Sequence, residues 1–119
     1  MKLLIADSDP LILSSLKMGF SRHNDIEVVG LTADSADIVD ACKSKNPNVV
    51  LLDIRLDSVT VTRQIKAHYP NVRVAIFSAF GNTSEVVQAV KAGADGFICK
   101  TDKLPDIIAK IHALCDMAV

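Results

Sequence analysis

The sequence predicts an α/β domain, a doubly wound (βα)5 unit built on one parallel sheet. Three observations lead there. Short β-rich runs alternate with amphipathic helical runs five times along 119 residues. The run Asn48-Val49-Val50-Leu51-Leu52-Asp53 is apolar without alternation, as a strand covered on both faces must be. Polar residues then follow the strands: Asp7 and Ser8 after the first, Asp53 ending the third, Ser78 after the fourth and Lys100 after the fifth.

Each element has its own signal. Leu3 to Ala6 reads as the first strand; Asp9 suits the cap of the next helix and Pro10 its first turn, where a missing N–H costs nothing. Ile12, Leu13, Leu16 and Phe20 fall on one face of that helix. Ile26 to Leu31 reads as strand two, Asp34 or Ser35 opens a helix with Ile38, Val39 and Cys42 as its buried stripe, and Pro47 marks its end. After strand three, Ser58 caps a helix that turns Val61 and Ile65 inward and stops before Pro70. Val72 to Phe77 is strand four. Asn82 with Glu85 three residues on has the form of a capping box, and Gly93 suits the position just past that helix. Gly96 to Cys99 is strand five; Pro105 starts the last helix, with Ile107, Ile108, Ile111, Leu114 and Cys115 at helical spacing.

Composition narrows the class of function. Half the residues are apolar, enough for one domain, spanning residues 1–119, to bury a core without staples. Net charge is −1 and the basic residues are scattered, so charge alone does not give this segment a grip on nucleic acid. No apolar run reaches membrane-spanning length, and Asp7 interrupts the N-terminal run too early for a signal peptide. A cytoplasmic protein with no membrane contact is expected. Cys42, Cys99 and Cys115 match no metal spacing and read as free thiols of a reducing compartment.

A parallel (βα)5 sheet with right-handed crossovers binds ligands beyond the carboxyl ends of its strands, where strand order reverses. In the flavodoxin-like order 2-1-3-4-5 that crevice lies between strands one and three. It collects Asp7, Ser8, Asp53, Ser78 and Lys100 at one end of the sheet.

These pieces, in this order and spacing, resemble the receiver domain of two-component response regulators along essentially the whole chain. The matching stretches are Leu3-Leu4-Ile5-Ala6-Asp7, Val49-Val50-Leu51-Leu52-Asp53-Ile54-Arg55, Ser78-Ala79 and Lys91-Ala92-Gly93-Ala94-Asp95-Gly96-Phe97-Ile98-Cys99-Lys100. Ile26-Glu27-Val28-Val29-Gly30 and the Ala-Gly-Ala-Asp-Gly-Phe run look most like the LuxR/NarL-type subfamily. The resemblance implies that Asp53 accepts a phosphoryl group from a sensor histidine kinase and that Lys100 binds the phosphate. It implies that Ser78 and Phe97 form the switch pair, and that Mg2+ sits on Asp7, Asp53 and the backbone carbonyl of Arg55. It further implies a readout through helix four and strand five, a homodimer, and transcriptional control exerted on DNA only through an effector domain outside this chain. Beyond self-catalysed phosphoryl transfer and autodephosphorylation, no enzyme activity is implied.

The chemistry accounts for these residue types, because a carboxylate attacking a phosphoryl group is anion meeting anion and needs cations on the oxygens. Two departures stand out. Ser8 replaces the second acid that usually follows the position of Asp7, so Mg2+ binding should be weaker, with Ser8 or Asp9 as substitute donors. The loop Leu56-Asp57-Ser58-Val59-Thr60-Val61 is shorter than usual and lacks the customary Pro-Gly. A receiver that signals without phosphate is therefore one alternative. Another is a haloacid-dehalogenase-like phosphatase using Asp7-Ser8-Asp9, although that fold needs more chain and a further acid pair.

Taken singly, each residue has a plainer role. Asp53 would be a loop carboxylate, Lys100 a surface lysine, Ser78 a turn former and Phe97 core. Cys99 would be a small hydrophobe. His23, His68 and His112 fall on different elements and suggest no metal site.

Overall fold

The computed structural model describes residues 1–117; Ala118 and Val119, the end of the expected domain, lie outside the described residues. Five strands, β1 (Lys2–Ala6), β2 (Glu27–Thr32), β3 (Val49–Asp53), β4 (Arg73–Ser78) and β5 (Gly96–Cys99), form one sheet of order β2-β1-β3-β4-β5. Every neighbouring pair is parallel. Five helices connect or follow them: α1 (Pro10–Phe20), α2 (Ile38–Lys45), α3 (Ser58–His68), α4 (Ser84–Lys91) and α5 (Leu104–Cys115). The alternation predicts the parallel (βα)5 sheet, and of the common doubly wound orders the chain has the expected flavodoxin-like 2-1-3-4-5.

Side chains alternate across each strand, and the alternation divides the core in two. Leu3, Ile5, Val49, Leu51, Phe77 and Ile98 pack under Leu13, Leu16 and Phe20 of α1 and Ile107, Ile111 and Leu114 of α5. Leu4, Ala6, Val50, Leu52, Val74 and Ile76 pack on the other face against Ile38 and Cys42 of α2, Val61 and Ile65 of α3, and Val86 and Ala89 of α4. β3 is buried at every position, which is why its sequence shows no polar alternation. β2, at the sheet edge, is mostly half-buried and carries a bulge opposite Leu3 and Leu4.

The same parity positions the polar tips. Asp7 continues the Leu3–Ile5 row, Asp53 the Val49–Leu51 row, and Lys100 the position after next from Ile98, so all three belong to the α1/α5 face. Ser78 continues Val74 and Ile76, and Phe97 packs on the same α4 side. Register completes the placement. Ala6 pairs with Leu52, so Asp7 follows beside Asp53, and Ser78 pairs with Cys99 immediately before Lys100.

Three helix starts differ from the sequence expectation. Thr83, not Asn82, caps α4: its hydroxyl accepts from Val86 N–H at 3.3 Å, and no capping box to Glu85 forms. Both residues are competent caps, and the burial of Val86 and Ala89 decides which one serves. Ser58 does not cap α3 but is its buried first residue. Asp57 precedes it in the left-handed region at φ 52°, without a side-chain cap bond. α5 starts one residue before Pro105, at Leu104. Asp34 does open the second helical segment, through a single 3-10 turn at Ser35–Asp37. That segment ends at Asn46 in the left-handed conformation, just before Pro47.

Candidate functional site

Asp7 and Asp53 are both fully buried, a costly placement for two carboxylates unless cations and donors surround them. They do. Lys100 Nζ lies 3.0 Å from Asp7 Oδ2 and 3.3 Å from Asp53 Oδ1, and the same ammonium sits over the Phe77 ring at 5.5 Å from the centroid. Asp53 Oδ2 accepts from Ser8 N–H at 3.1 Å and from the Ser8 hydroxyl at 2.9 Å. Asp53 Oδ1 accepts from Arg55 N–H at 3.0 Å.

The Arg55 side chain then folds back over the acids. The chain turns sharply after β3, with Leu56 N–H donating to Asp53 C=O at 3.0 Å and the Leu56 side chain buried. This turn aims the guanidinium at the strand tip. Nε reaches Asp53 Oδ1 at 3.3 Å, one Nη reaches Asp53 Oδ2 at 3.2 Å, and the same Nη lies 3.7 Å from Asp7 Oδ1.

The two acids respond in opposite directions. Burial works to raise the Asp53 pKa, but the amide bonds from Arg55 and Ser8 and the side-chain bonds from the same residues outweigh it, holding the carboxyl well below the usual carboxylate range. For Asp7, burial is the largest influence and wins over the Asp9 N–H bond and Lys100, so its pKa is raised. Asp53 is thus the more readily ionised of the pair. In linkage terms its charge stabilises the fold above the unfolded pKa of about 3.9 and that contribution is lost as pH falls through the lower folded value. Asp7 has the reverse sign, and its charge costs stability at neutral pH. Asp7→Asn should therefore raise Tm at pH 7. The gain should vanish below about pH 4. A calorimetric Tm at pH 7 equal to or below that of the unsubstituted chain would contradict this assignment.

An open cleft of about 420 Å3 faces these groups, lined by Asp9, Asp53, Arg55, Ser78, Ala79 and Lys100 among others. Sequence expectation brought Asp7, Ser8, Asp53, Ser78 and Lys100 to one end of one sheet, and the structure brings them there. Ser78 holds its hydroxyl away from Asp53: Oγ donates to Phe80 C=O at 3.2 Å and accepts from Phe80 N–H at 3.4 Å. Phe97 lies beneath the same loop, its ring filling the space a Cβ at Gly81 would occupy, 2.7 Å from Cε1. The Asp9 carboxylate caps α1 by accepting from Leu11 N–H at 2.9 Å, while its own N–H donates to Asp7 Oδ1. The sequence reading used only the backbone carbonyl of Arg55. It missed the guanidinium and the paired donors of Ser8, for which periodicity carries no signal.

The donor set suits a hard cation in kind. Asp7 Oδ2 is buried and has no hydrogen-bond partner, since its Lys100 contact is off-line, and it stands beside the Asp53 carboxylate. Mg2+ takes one or two carboxylates and fills its remaining positions with waters and phosphate oxygens. Among the described residues no group of three or more His, Cys, Asp or Glu side chains is placed to hold a metal. The two buried acids are therefore the whole carboxylate set available here.

A buried acid pair, a lysine just past β5 and a hydroxyl from β4, at the carboxyl ends of a 2-1-3-4-5 sheet, define a receiver-type domain. The chain belongs to the response regulator receiver domain family, whose model matches residues 3–112. It is 28% identical to the response regulator protein VraR of Staphylococcus saprophyticus over 93% of this chain and 54% of that protein. With the VraR of Staphylococcus aureus it shares 31% identity over 89% of this chain and 52% of the relative. The chain spans about half the length of these curated relatives. Among solved structures, the receiver domain of a putative response regulator NarL from Mycobacterium tuberculosis superposes with a TM-score of 0.90 at 25% identity, covering 98% of this chain and 97% of that one. A LuxR-family DNA-binding response regulator from Staphylococcus aureus gives 0.88 at 23%, covering 97% and 98%. The likeness to the LuxR/NarL-type group therefore holds in both sequence and fold. Receiver domains are signalling modules rather than enzymes. No helix among the described residues is long and apolar enough to cross a membrane.

Proposed function

We propose that this chain is a phosphorylation switch in two-component signalling, with Asp53 as the phosphoacceptor. The observation that carries this reading is the convergence of Asp53, Lys100 and Ser78 from three neighbouring strands on one open cleft. A carboxylate oxygen of Asp53 attacks the phosphorus of a phosphohistidine on a sensor histidine kinase. The P–N bond breaks and its electron pair returns to the imidazole. Asp53 is held ionised for this attack, and Lys100 Nζ, already at its oxygens, meets the charge that gathers on the phosphoryl group. Mg2+, when held by Asp7, Asp53 and the Arg55 carbonyl, adds a second source of neutralisation.

Switching follows from the bonds Ser78 would exchange. Its hydroxyl now binds Phe80 C=O, and a phosphoryl group on Asp53 offers a stronger, anionic acceptor. Turning toward it releases the 79–81 loop from Ser78, and that loop covers Phe97. The ring is then free to shift, and α4 with it, where Val87 and Val90 are 44% and 48% exposed. We assign the output to this α4–β5 face, as a homodimer or through a DNA-binding effector domain of a longer protein, in the manner of the LuxR-type relatives.

One observation favours a second reading. Lys100 and Arg55 already balance both acids, so a receiver that works by contact alone, without phosphate, is self-consistent. Incubation with acetyl phosphate and Mg2+, followed by intact mass and peptide fragmentation, separates the readings. One phosphoryl group on the Asp53 peptide supports the switch, and no uptake by folded chain supports the phosphate-independent module. Asp7-dependent turnover of phosphoesters would instead support the phosphatase reading of Asp7-Ser8-Asp9.

A further inference from the structure

The Asp53 carboxylate is crowded with donors. Oδ1 faces Arg55 N–H at 3.0 Å, Arg55 Nε at 3.3 Å and Lys100 Nζ at 3.3 Å. Oδ2 faces Ser8 N–H at 3.1 Å, Ser8 Oγ at 2.9 Å and an Arg55 Nη at 3.2 Å. A carboxylate offers about four lone-pair sites, so an arriving cation finds none free on Asp53, whereas Asp7 Oδ2 has no hydrogen-bond partner. Charge is also balanced locally, since the buried acids Asp7 and Asp53 face the two cations Lys100 and Arg55. A second acid at position 8 would leave this cluster anionic. Ser8 instead contributes two more donors.

A divalent ion must therefore displace something. The Ser8 and Arg55 amides are fixed by the backbone, Lys100 is only 14% exposed, and the exposed Ser8 hydroxyl is neutral, so turning it away removes no positive charge from the acids. The Arg55 side chain is 58% exposed, so its head can swing into water at little cost beyond its own contacts. It is also the group whose reach spans both acids, from 3.2 Å at Asp53 to 3.7 Å at Asp7, as a cation shared between them would.

We propose that Arg55 is the resident counter-cation of the Asp7–Asp53 pair and that a divalent ion enters only by displacing its guanidinium, so that Arg55 sets the metal affinity of this chain. The inference rests on Asp7 and Asp53 being the cation-binding acids. It does not require that Asp53 be phosphorylated.

The test is an NMR titration of 15N-labelled chain with Mg2+, following the amides of Ser8, Ile54 and Arg55 and the Arg55 Nε–H cross-peak. In the unsubstituted chain the Nε–H signal should move to the position of a free guanidinium with the same midpoint as the Ser8 amide. In Arg55→Met, which removes an exposed side chain head and should leave the fold intact, the midpoint should fall by about tenfold or more, the scale of losing a competing charged hydrogen bond. An unchanged or higher midpoint in Arg55→Met would overturn the proposal. So would an Nε–H signal that stays put while the amides saturate, or the absence of Mg2+ binding in both chains. Phosphoryl uptake is read separately by mass, so a tightened Arg55→Met chain that takes up no phosphoryl group sinks the phosphoacceptor reading and leaves this one standing.

Discussion

Asp53→Asn should take up no phosphoryl group from acetyl phosphate under conditions in which the unsubstituted chain takes up one. The substitution keeps the shape of the side chain and removes the nucleophilic charge. Asp7, the other buried acid, is no replacement. Burial raises its pKa, one oxygen is tied to Asp9 N–H, and the other faces Lys100. The variant should stay folded but lose stability, because the depressed pKa of Asp53 marks a charge that the folded state favours. An amide also presents its own donors to Arg55 and Lys100, so a loss of about 1–3 kcal/mol is expected in chemical denaturation. Uptake by Asp53→Asn at the rate of the unsubstituted chain would mean that the phosphoryl group goes elsewhere.

Lys100→Met should slow phosphoryl uptake by about 100-fold or more, the usual cost of removing a preorganised cation or donor from a transferring group. Lys100 is the better test of electrostatics than Arg55 because it is mostly buried and contacts both acids, at 3.0 and 3.3 Å. Methionine keeps an unbranched apolar side chain of similar reach, so the charge, and with it the ammonium contact over Phe77, is removed at little cost in volume. Arg55 remains beside Asp53 in this variant, and some transfer should persist. Uptake within threefold of the unsubstituted rate would remove Lys100 from the chemistry.

The fold was legible in the sequence wherever burial imposed a pattern. The unbroken apolar run of β3 and the 3–4 spacing of Ile107, Ile108, Ile111 and Leu114 each admit few alternatives, and the element order followed from them. Helix starts were less legible, because Asn82 and Thr83 are both good caps and only the inward direction of Val86 chooses between them. Ser58 shows the same effect: a cap-forming residue type became a buried helical one when Asp57 took the left-handed turn.

In the site, the residues that strand parity controls were found, namely Asp7, Asp53, Ser78 and Lys100. The position of the Arg55 head was not. It depends on a side chain's path across a turn that Leu56 tightens by entering the core, and no periodicity describes such a path. Asp9 had two roles open to it, metal donor or helix cap, and its carboxylate is at the cap. The bond from Ser78 to Phe80 was equally hidden, yet it supplies the resting state against which any switch must work.

The central claim is that Asp53, Lys100 and Ser78 enclose one anion site whose filling moves the Phe80 loop. Titration of 15N-labelled chain with beryllofluoride, a phosphoryl mimic, tests it most directly. The account predicts a saturable change that starts at Asp53, Ser78 and Lys100 and extends to Phe80, Gly81 and Phe97, and that is lost in Asp53→Asn. Spectra that do not change, or changes confined to residues away from this cleft, would contradict it.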